Sequence, residues 1–255
     1  MARFIILSGP ACVGKGPLMA AMAKFYPELL AHMQRVVLYS ERAPRPHERD
    51  GVDYHFRTRK RIDQIGQKKG YLSFESRGEL QCVDLAAIDK ALGEGQDVLF
   101  EGNTYLVNKL REIGLFDRYE TLKIFLSPLS QAEIIHLKEC VPGVDLKNFV
   151  ADVMRRKLLH RTSKWKGPLG LPDLQDVERR ATRALAEMAQ AHHYDAVIAN
   201  HDGEGHDNWD AFYHPIGDAR RTMETFAGLL QGKRLHGRLE HWDKALITGK
   251  MLDEL

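Results

Sequence analysis

The chain has 255 residues, 44% of them apolar and 28% charged, a composition that fits one large globular domain able to bury a substantial core. Its formal charge of +2 excludes a global electrostatic pull toward nucleic acid or an anionic membrane surface, so any basic character has to be local. Three widely spaced cysteines argue against a disulfide framework, and no spanning apolar run or signal-peptide pattern is found, so a cytoplasmic protein without membrane or nucleic-acid partners is expected.

The first element is an apolar run at residues 4–7, which predicts a buried strand. It breaks at Gly9, and a helical pattern over 17–30 follows Gly14-Lys15. Gly9 and Gly14-Lys15 stand at the spacing G-x-x-x-x-G-K of a phosphate-binding loop. Glycines let such a loop aim its N–H groups inward, and the following helix adds its positive N-terminal end. Gly9, Pro10, Ala11, Cys12, Val13, Gly14, Lys15 and Gly16 therefore form a candidate phosphate cradle, with the Lys15 ammonium on the β- and γ-phosphates. Gly16-Pro17 stand where a serine or threonine hydroxyl usually meets Mg²⁺. Pro17 fits a helix start, because its missing N–H would have had no partner there. Cys12 has two readings, a thiol activated by the helix end or a small residue tolerated in the loop.

Further strand-like runs at 35–38, 98–101, 122–126 and 196–199 alternate with helical patterns at 84–92, 107–113 and 175–192. That alternation predicts an α/β sandwich around a mainly parallel sheet. Two stretches interrupt it. Residues 39–82 are polar and rich in Arg and Gly, with short β-like pieces at 54–56 and 71–74. Residues 139–180 are charged and helical, broken at Gly167-Pro168 and Leu171-Pro172. Inserts of this kind carry acceptor sites and mobile lids. Residues 207–255 form an amphipathic appendage that offers Leu229, Leu230, Leu235, Leu239 and Trp242 for packing. His192, His193, His201, His206 and His214 lack the spacing of a metal ligand set. The basic runs 57–61 and 155–161 lack interleaved aromatics and read as subdomain surface.

Residues 40–56 carry a second constellation. Two prolines, Pro44 and Pro46, restrict the backbone around Arg42 and Arg45, so the guanidinium groups are held in place. Fixed planar donors suit a phosphate that must be oriented as well as neutralised. Tyr54 adds a hydroxyl donor, and Glu48 is placed to hold one arginine. The plainer reading is a solvated proline-rich loop with surface charges.

Taken together, these motifs resemble a known family. Arg-x-Pro-Arg-x-x-Glu-x-x-Gly-x-x-Tyr-x-Phe, at residues 42–56, is similar to the nucleoside monophosphate-binding signature of guanylate kinases. The Gly9–Gly16 loop, residues 180–187 and the strand with its turn at 194–200 resemble further parts of that family in the same order. The resemblance implies a P-loop three-layer α/β core with a mainly parallel sheet over residues 1–230. It also implies an inserted NMP-binding subdomain at about 39–82, a helical lid at about 139–180 and a helical appendage at 231–255. The implied activity is transfer of a phosphoryl group from ATP, with Mg²⁺, to a nucleoside monophosphate.

By that resemblance, the loop with Lys15 and Asn200 holds the donor, and Arg42, Arg45, Glu48 and Tyr54 hold the acceptor phosphate. Glu101 orients the acceptor or holds Mg²⁺ through water. Arg161 and Arg180, with Arg156 behind them, are the candidate lid arginines, since phosphoryl transfer depends mainly on positioning and charge neutralisation. Departures fall mainly in the base-reading half. A base-reading family serine corresponds to Leu38 and a base-edge glutamate to Ser73, with Glu75 as a substitute two residues after Ser73, and a phosphate-binding family tyrosine corresponds to Gln81. Altered base choice is therefore expected. A non-catalytic binding module and a kinase of another small phosphate ester, such as a ribose phosphate, stay open as alternatives.

Overall fold

The computed structural model describes residues 2–45 and 48–248. Strand β1 (Arg3–Ser8) runs into a loop, then into α1 (Lys15–Phe25) and the short α2 (Pro27–Leu30). β2 (Met33–Arg35), β3 (Leu38–Ser40) and β4 (Tyr54–Phe56) lead to α3 (Arg59–Gly66), β5 (Tyr71–Ser76), β6 (Glu79–Asp84) and α4 (Leu85–Gly93). Next come β7 (Asp97–Gly102), α5 (Thr104–Glu112), β8 (Glu120–Ser127), α6 (Gln131–Cys140) and α7 (Leu146–Lys166). α8 (Leu171–Thr182), α9 (Ala184–Met188), β9 (Ala196–Ala199) and α10 (Gly217–Leu230) follow.

The strands form a five-stranded sheet in the order β2-β7-β1-β8-β9 and a four-stranded sheet in the order β4-β3-β6-β5. β2 and β7 pair in parallel, as do β8 and β9. Phe4 through Leu7 of β1, Val98 through Phe100 of β7 and Ile124 through Leu126 of β8 are all buried. Continuous apolar burial is what a parallel strand needs when both of its faces are covered. The fold is the mixed α/β class expected from the alternating pattern. The chain divides into two compact units, Met1–Ile6 with His32–Leu122, and Leu7–Ala31 with Lys123–Leu255.

In the first unit, β3 pairs in parallel with β4 and antiparallel with β6, which pairs antiparallel with β5. Helix α3 covers one face of this sheet. Its Ile62 and Ile65 pack on Leu80 and Cys82, flanked by Tyr39 and Tyr71. Asp84 ends β6 and caps α4, its carboxylate accepting the Ala87 N–H at 2.9 Å. Asn103 closes β7 and caps α5 through the Tyr105 N–H at 3.0 Å. Each cap satisfies helix N–H groups that have no partner within the helix.

In the second unit, α6 opens with a Ser130–Glu133 capping box. Asp145 caps α7, and Gly167 ends it at φ +75°. Pro172 lies in the first turn of α8. Trp242 packs near Phe125, with ring centroids 6.5 Å apart.

Several expected elements are divided. The 17–30 helix breaks at Tyr26 (φ −138°, ψ 48°), because the proline at 27 disfavours the helical conformation of its predecessor. The 35–38 strand is two strands: Met33–Arg35 pairs with β7, whereas Leu38–Ser40 joins the other sheet. The 175–192 helix is the end of α8, α9 and a 3-10 turn at Ala191–His193. The appendage expected to be helical from 231 onward is extended and irregular over 231–248, apart from a 3-10 turn at Lys244–Leu246. Glu240 pairs its backbone with Val197 of β9 at 2.8 and 2.9 Å, so a strand's open hydrogen bonds direct this segment rather than its amphipathic pattern. Residues 249–255 lie outside the described residues.

Candidate active site

The loop between β1 and α1 needs its glycines for steric reasons. Gly9 has φ +149°, and a Cβ there would stand 2.3 Å from the Leu126 carbonyl oxygen. Gly14 has φ +105°, and its Cβ would lie 2.5 Å from Asn200 Nδ2. No other side chain fits such close approaches at these dihedrals. Lys15 is buried, and its ammonium folds back over the loop to donate to the Gly9 and Pro10 carbonyls at 2.8 Å each.

Asn200 is fully buried at the end of β9 and donates to the Val13 carbonyl at 2.8 Å. It braces the loop from behind. Cys12, at φ +68°, is also buried, and its thiol points to the Lys157 carbonyl at 3.4 Å. Burial, reinforced by the Glu204 charge, pushes that thiol up to about 12, so the activated-thiol reading fails.

Sequence reasoning missed the segment after Asn200. Asp202 accepts from the Ala219 N–H at 2.8 Å near the start of α10, and its carbonyl receives the Trp209 indole at 2.8 Å. Glu204 donates its N–H to the Cys12 carbonyl at 3.1 Å. This second belt around the loop is signalled only by Gly203 and Gly205. A Cβ on Gly203 would stand 2.6 Å from the Cys12 carbonyl oxygen, and Gly205 has φ +84°.

Of the candidate lid arginines, Arg161 of α7 is buried, with Nη1 donating to Glu204 Oε2 at 2.7 Å. Its guanidinium lies 5.1 Å from the Trp165 ring centre. Arg180 of α8 pairs with Asp176 at 2.7 Å. Arg156 donates from Nε to the Asp152 carbonyl at 3.4 Å, one turn back on its own helix.

In the first unit, Arg42 meets Glu48 through hydrogen bonds of 2.7 and 2.6 Å, and Glu48 also accepts the Arg45 N–H at 2.7 Å. Although burial favours the neutral acid, the hydrogen bonds from Arg42 and Arg45 hold the Glu48 carboxyl below its ordinary value. The Arg42 guanidinium lies 4.7 Å from the Tyr54 ring and 5.4 Å from Phe56. Burial raises the Tyr54 hydroxyl against the opposing pull of Arg42, and the Glu101 charge raises it further. Glu101 stands near the end of β7, 3.5 Å from Arg35.

Strand register separates the remaining acceptor candidates. Leu38 pairs with Tyr54, Ser40 with Phe56 and Gln81, and Gln81 with Phe74, so these side chains share one face. Gln81 is buried there, with Oε1 lacking a hydrogen-bond partner. Ser73 pairs with Cys82 and Glu75 with Leu80, on the opposite face. The Ser73 hydroxyl sits against Gly66 of α3, and Glu75 forms an ion pair with Arg59. The structure thus keeps Gln81 with Tyr54 and Arg42 but turns Ser73 and Glu75 toward α3. The period of two in a strand decides this, and the hairpin register sets its phase.

Comparison with known proteins agrees with these motifs. A family model described as guanylate kinase matches residues 1–142. The chain belongs to the guanylate kinase family. It is therefore a nucleoside monophosphate kinase by class. It is 26% identical over 197 residues to the guanylate kinase of Cutibacterium acnes, spanning 76% of this chain and 81% of that one. It is 34% identical over 136 residues to the guanylate kinase of Lactobacillus johnsonii, spanning 52% and 62%. A crystal structure of guanylate kinase from Anaplasma phagocytophilum shares the fold at a TM-score of 0.55 and 17% identity, over 93% of this chain and 89% of that one.

Proposed function

We propose that this guanylate kinase family member transfers the terminal phosphoryl group of ATP to the phosphate of a nucleoside monophosphate, giving ADP and a nucleoside diphosphate. Lys15 carries the reading. Its buried ammonium is held in an intact glycine cradle by two carbonyls at 2.8 Å, a charge that a non-catalytic module has no reason to keep. The names of the relatives likewise favour a kinase over a scaffold or a ribose phosphate kinase.

In this mechanism the loop N–H groups and Lys15 bind the donor phosphates, while Asn200 keeps the loop in shape. Arg42, fixed by Glu48, and Arg45 neutralise and orient the acceptor phosphate, and Tyr54 donates to it. An acceptor phosphate oxygen attacks the γ-phosphorus as the bond to the β–γ bridging oxygen breaks, and ADP leaves with that electron pair. Arg161 and Arg180 offset charge on the moving group, which is the main help phosphoryl transfer needs from a protein. Ser73 and Glu75 drop out of the acceptor site on the strand register given above.

The site chemistry suits Mg²⁺, which takes hard oxygen ligands and keeps several waters. Glu101 offers a half-buried carboxylate beside Tyr54 and would hold the cation through water. When bound, the metal neutralises charge on the donor phosphates.

The acceptor face retains the arginines and Tyr54 of its phosphate clamp, with Gln81 in place of a phosphate-binding tyrosine, while Leu38 stands where the family reads its base and Ser73, in place of the base-edge glutamate, is turned toward α3. Relaxed base choice follows, because a pocket without matched hydrogen bonds discriminates by only about 10–200-fold. Steady-state assays with ATP and GMP, dGMP, AMP, CMP or UMP test both parts. Turnover that disappears in Lys15→Ala supports the kinase, and a preference for GMP well beyond about 100-fold removes the relaxed-specificity part. Absence of turnover with every acceptor removes the kinase reading.

A further inference from the structure

The phosphate loop lacks a hydroxyl after Lys15, and the second unit brings a carboxylate oxygen close to that position. A Cβ on Gly16 would lie 3.8 Å from Glu204 Oε1, the one contact within 4 Å among the described residues beyond its chain neighbours and its own helix backbone. The carboxylate is delivered from three directions. Its own N–H is tied to the Cys12 carbonyl at 3.1 Å, and Oε2 is held by Arg161 at 2.7 Å. The flanking glycines let the backbone come this close, since a Cβ on Gly203 would stand 2.6 Å from the Cys12 carbonyl oxygen and one on Gly205 would stand 3.3 Å from Arg161 Cα. Arg161 is itself buried and Glu204 is part-buried, so the pair is largely withdrawn from solvent.

We propose that Glu204 replaces the missing hydroxyl as the metal-positioning oxygen of the donor site. The inference rests on the donor-site reading of the phosphate loop. In this proposal the two carboxylate oxygens divide the work, Oε2 anchoring Arg161 at 2.7 Å and Oε1, the one nearer Gly16, meeting the cation. A carboxylate is a hard oxygen donor and suits Mg²⁺ better than it suits a bare phosphate. Its charge therefore gives the interaction a definite sign. Without a divalent cation Glu204 repels the donor phosphates, and with one it attracts the complex.

ADP binding to the full chain, measured by calorimetry with and without Mg²⁺, tests this. Wild type is expected to bind ADP more tightly with the metal. Glu204→Gln, which keeps an acceptor for Arg161, is expected to lose about 10-fold or more of that enhancement, while metal-free ADP affinity stays equal or rises. Gly16→Ser in the Glu204→Gln background is expected to restore the enhancement, because Gly16 lies outside the left-handed region and has open space around a Cβ. An unchanged Mg²⁺ enhancement in Glu204→Gln overturns the proposal. So does a loss of metal-free affinity equal to the loss with metal, or a defect that Gly16→Ser leaves unrepaired, since either marks a purely structural role. Absence of ADP binding by wild type under both conditions overturns the donor-site reading itself, and the proposal with it.

Discussion

Glu48 accepts two hydrogen bonds from the Arg42 guanidinium, at 2.7 and 2.6 Å, and a third from the Arg45 N–H. One carboxylate thus holds both arginines of the proposed acceptor clamp. Arg42 is pressed on Tyr54 and Phe56, so its planar fork has a fixed orientation before any phosphate arrives.

Glu48→Gln should raise the acceptor KM more than it lowers kcat, because it loosens the clamp and leaves Lys15 untouched. The pair also makes stability depend on pH. The Glu48 carboxyl titrates below its ordinary value of 4.5 in the folded chain, so its contribution is complete above that value and is lost as pH falls through the folded pKa. Thermal melts from about pH 7 down to pH 4 should show the wild-type advantage over Glu48→Gln shrinking. An advantage that stays constant over that range contradicts this assignment.

Gly9 and Gly16 lie in the same loop but should respond differently to alanine. Gly9→Ala puts a methyl 2.3 Å from a backbone oxygen at φ +149° and should cost about 1–3 kcal/mol or more, with ADP binding lost. Gly16→Ala meets, among the described residues outside its own helix, only the Glu204 carboxylate within 4 Å and should melt within about 0.5 kcal/mol of wild type. Parallel thermal denaturation of the two variants decides the point.

Thiol labelling separates the three cysteines. Cys12 and Cys82 are buried and Cys140 is exposed. Burial raises both inner thiols, Cys12 to about 12. A disulfide reagent at neutral pH should therefore modify Cys140 in the folded chain and reach the other two only after denaturation. Rapid labelling of Cys12 in native protein would falsify this placement.

His201 joins two helix starts. Its Nε2 meets Glu133 of the α6 capping box at 2.9 Å, and Nδ1 meets Asp218 in the first turn of α10. Burial disfavours the imidazolium, but the two carboxylates raise its pKa above the ordinary 6.5. The stabilisation is complete below that value and is lost as pH rises through the folded pKa. Wild type should lose its thermal advantage over His201→Gln between about pH 6 and pH 9. Equal pH profiles for the two proteins would remove His201 from this role.

Local pattern alone carried the two proposed phosphate grips. Gly9, Gly14 and Lys15 are legible because a loop turned this tightly admits few residue types. Arg42, Arg45, Glu48 and Tyr54 are legible because they lie within one short segment at set spacing. The alternation of apolar runs with helical periods likewise determined an α/β fold with a mainly parallel sheet, since each period reports one kind of local geometry.

Tertiary structure decided what depends on distant pairing. Hairpin register turned Ser73 and Glu75 toward α3 and kept Gln81 with Tyr54, because a shift of one residue exchanges the two faces of a strand. The open edge of β9 drew residues 231–248 out of the expected helix, through backbone bonds at Glu240. Glu204 reaches Gly16 across 188 positions of sequence, and no spacing rule relates residues so far apart. Local chemistry determined which residues can grip phosphate. The packing of remote segments determined which other side chains stand beside them.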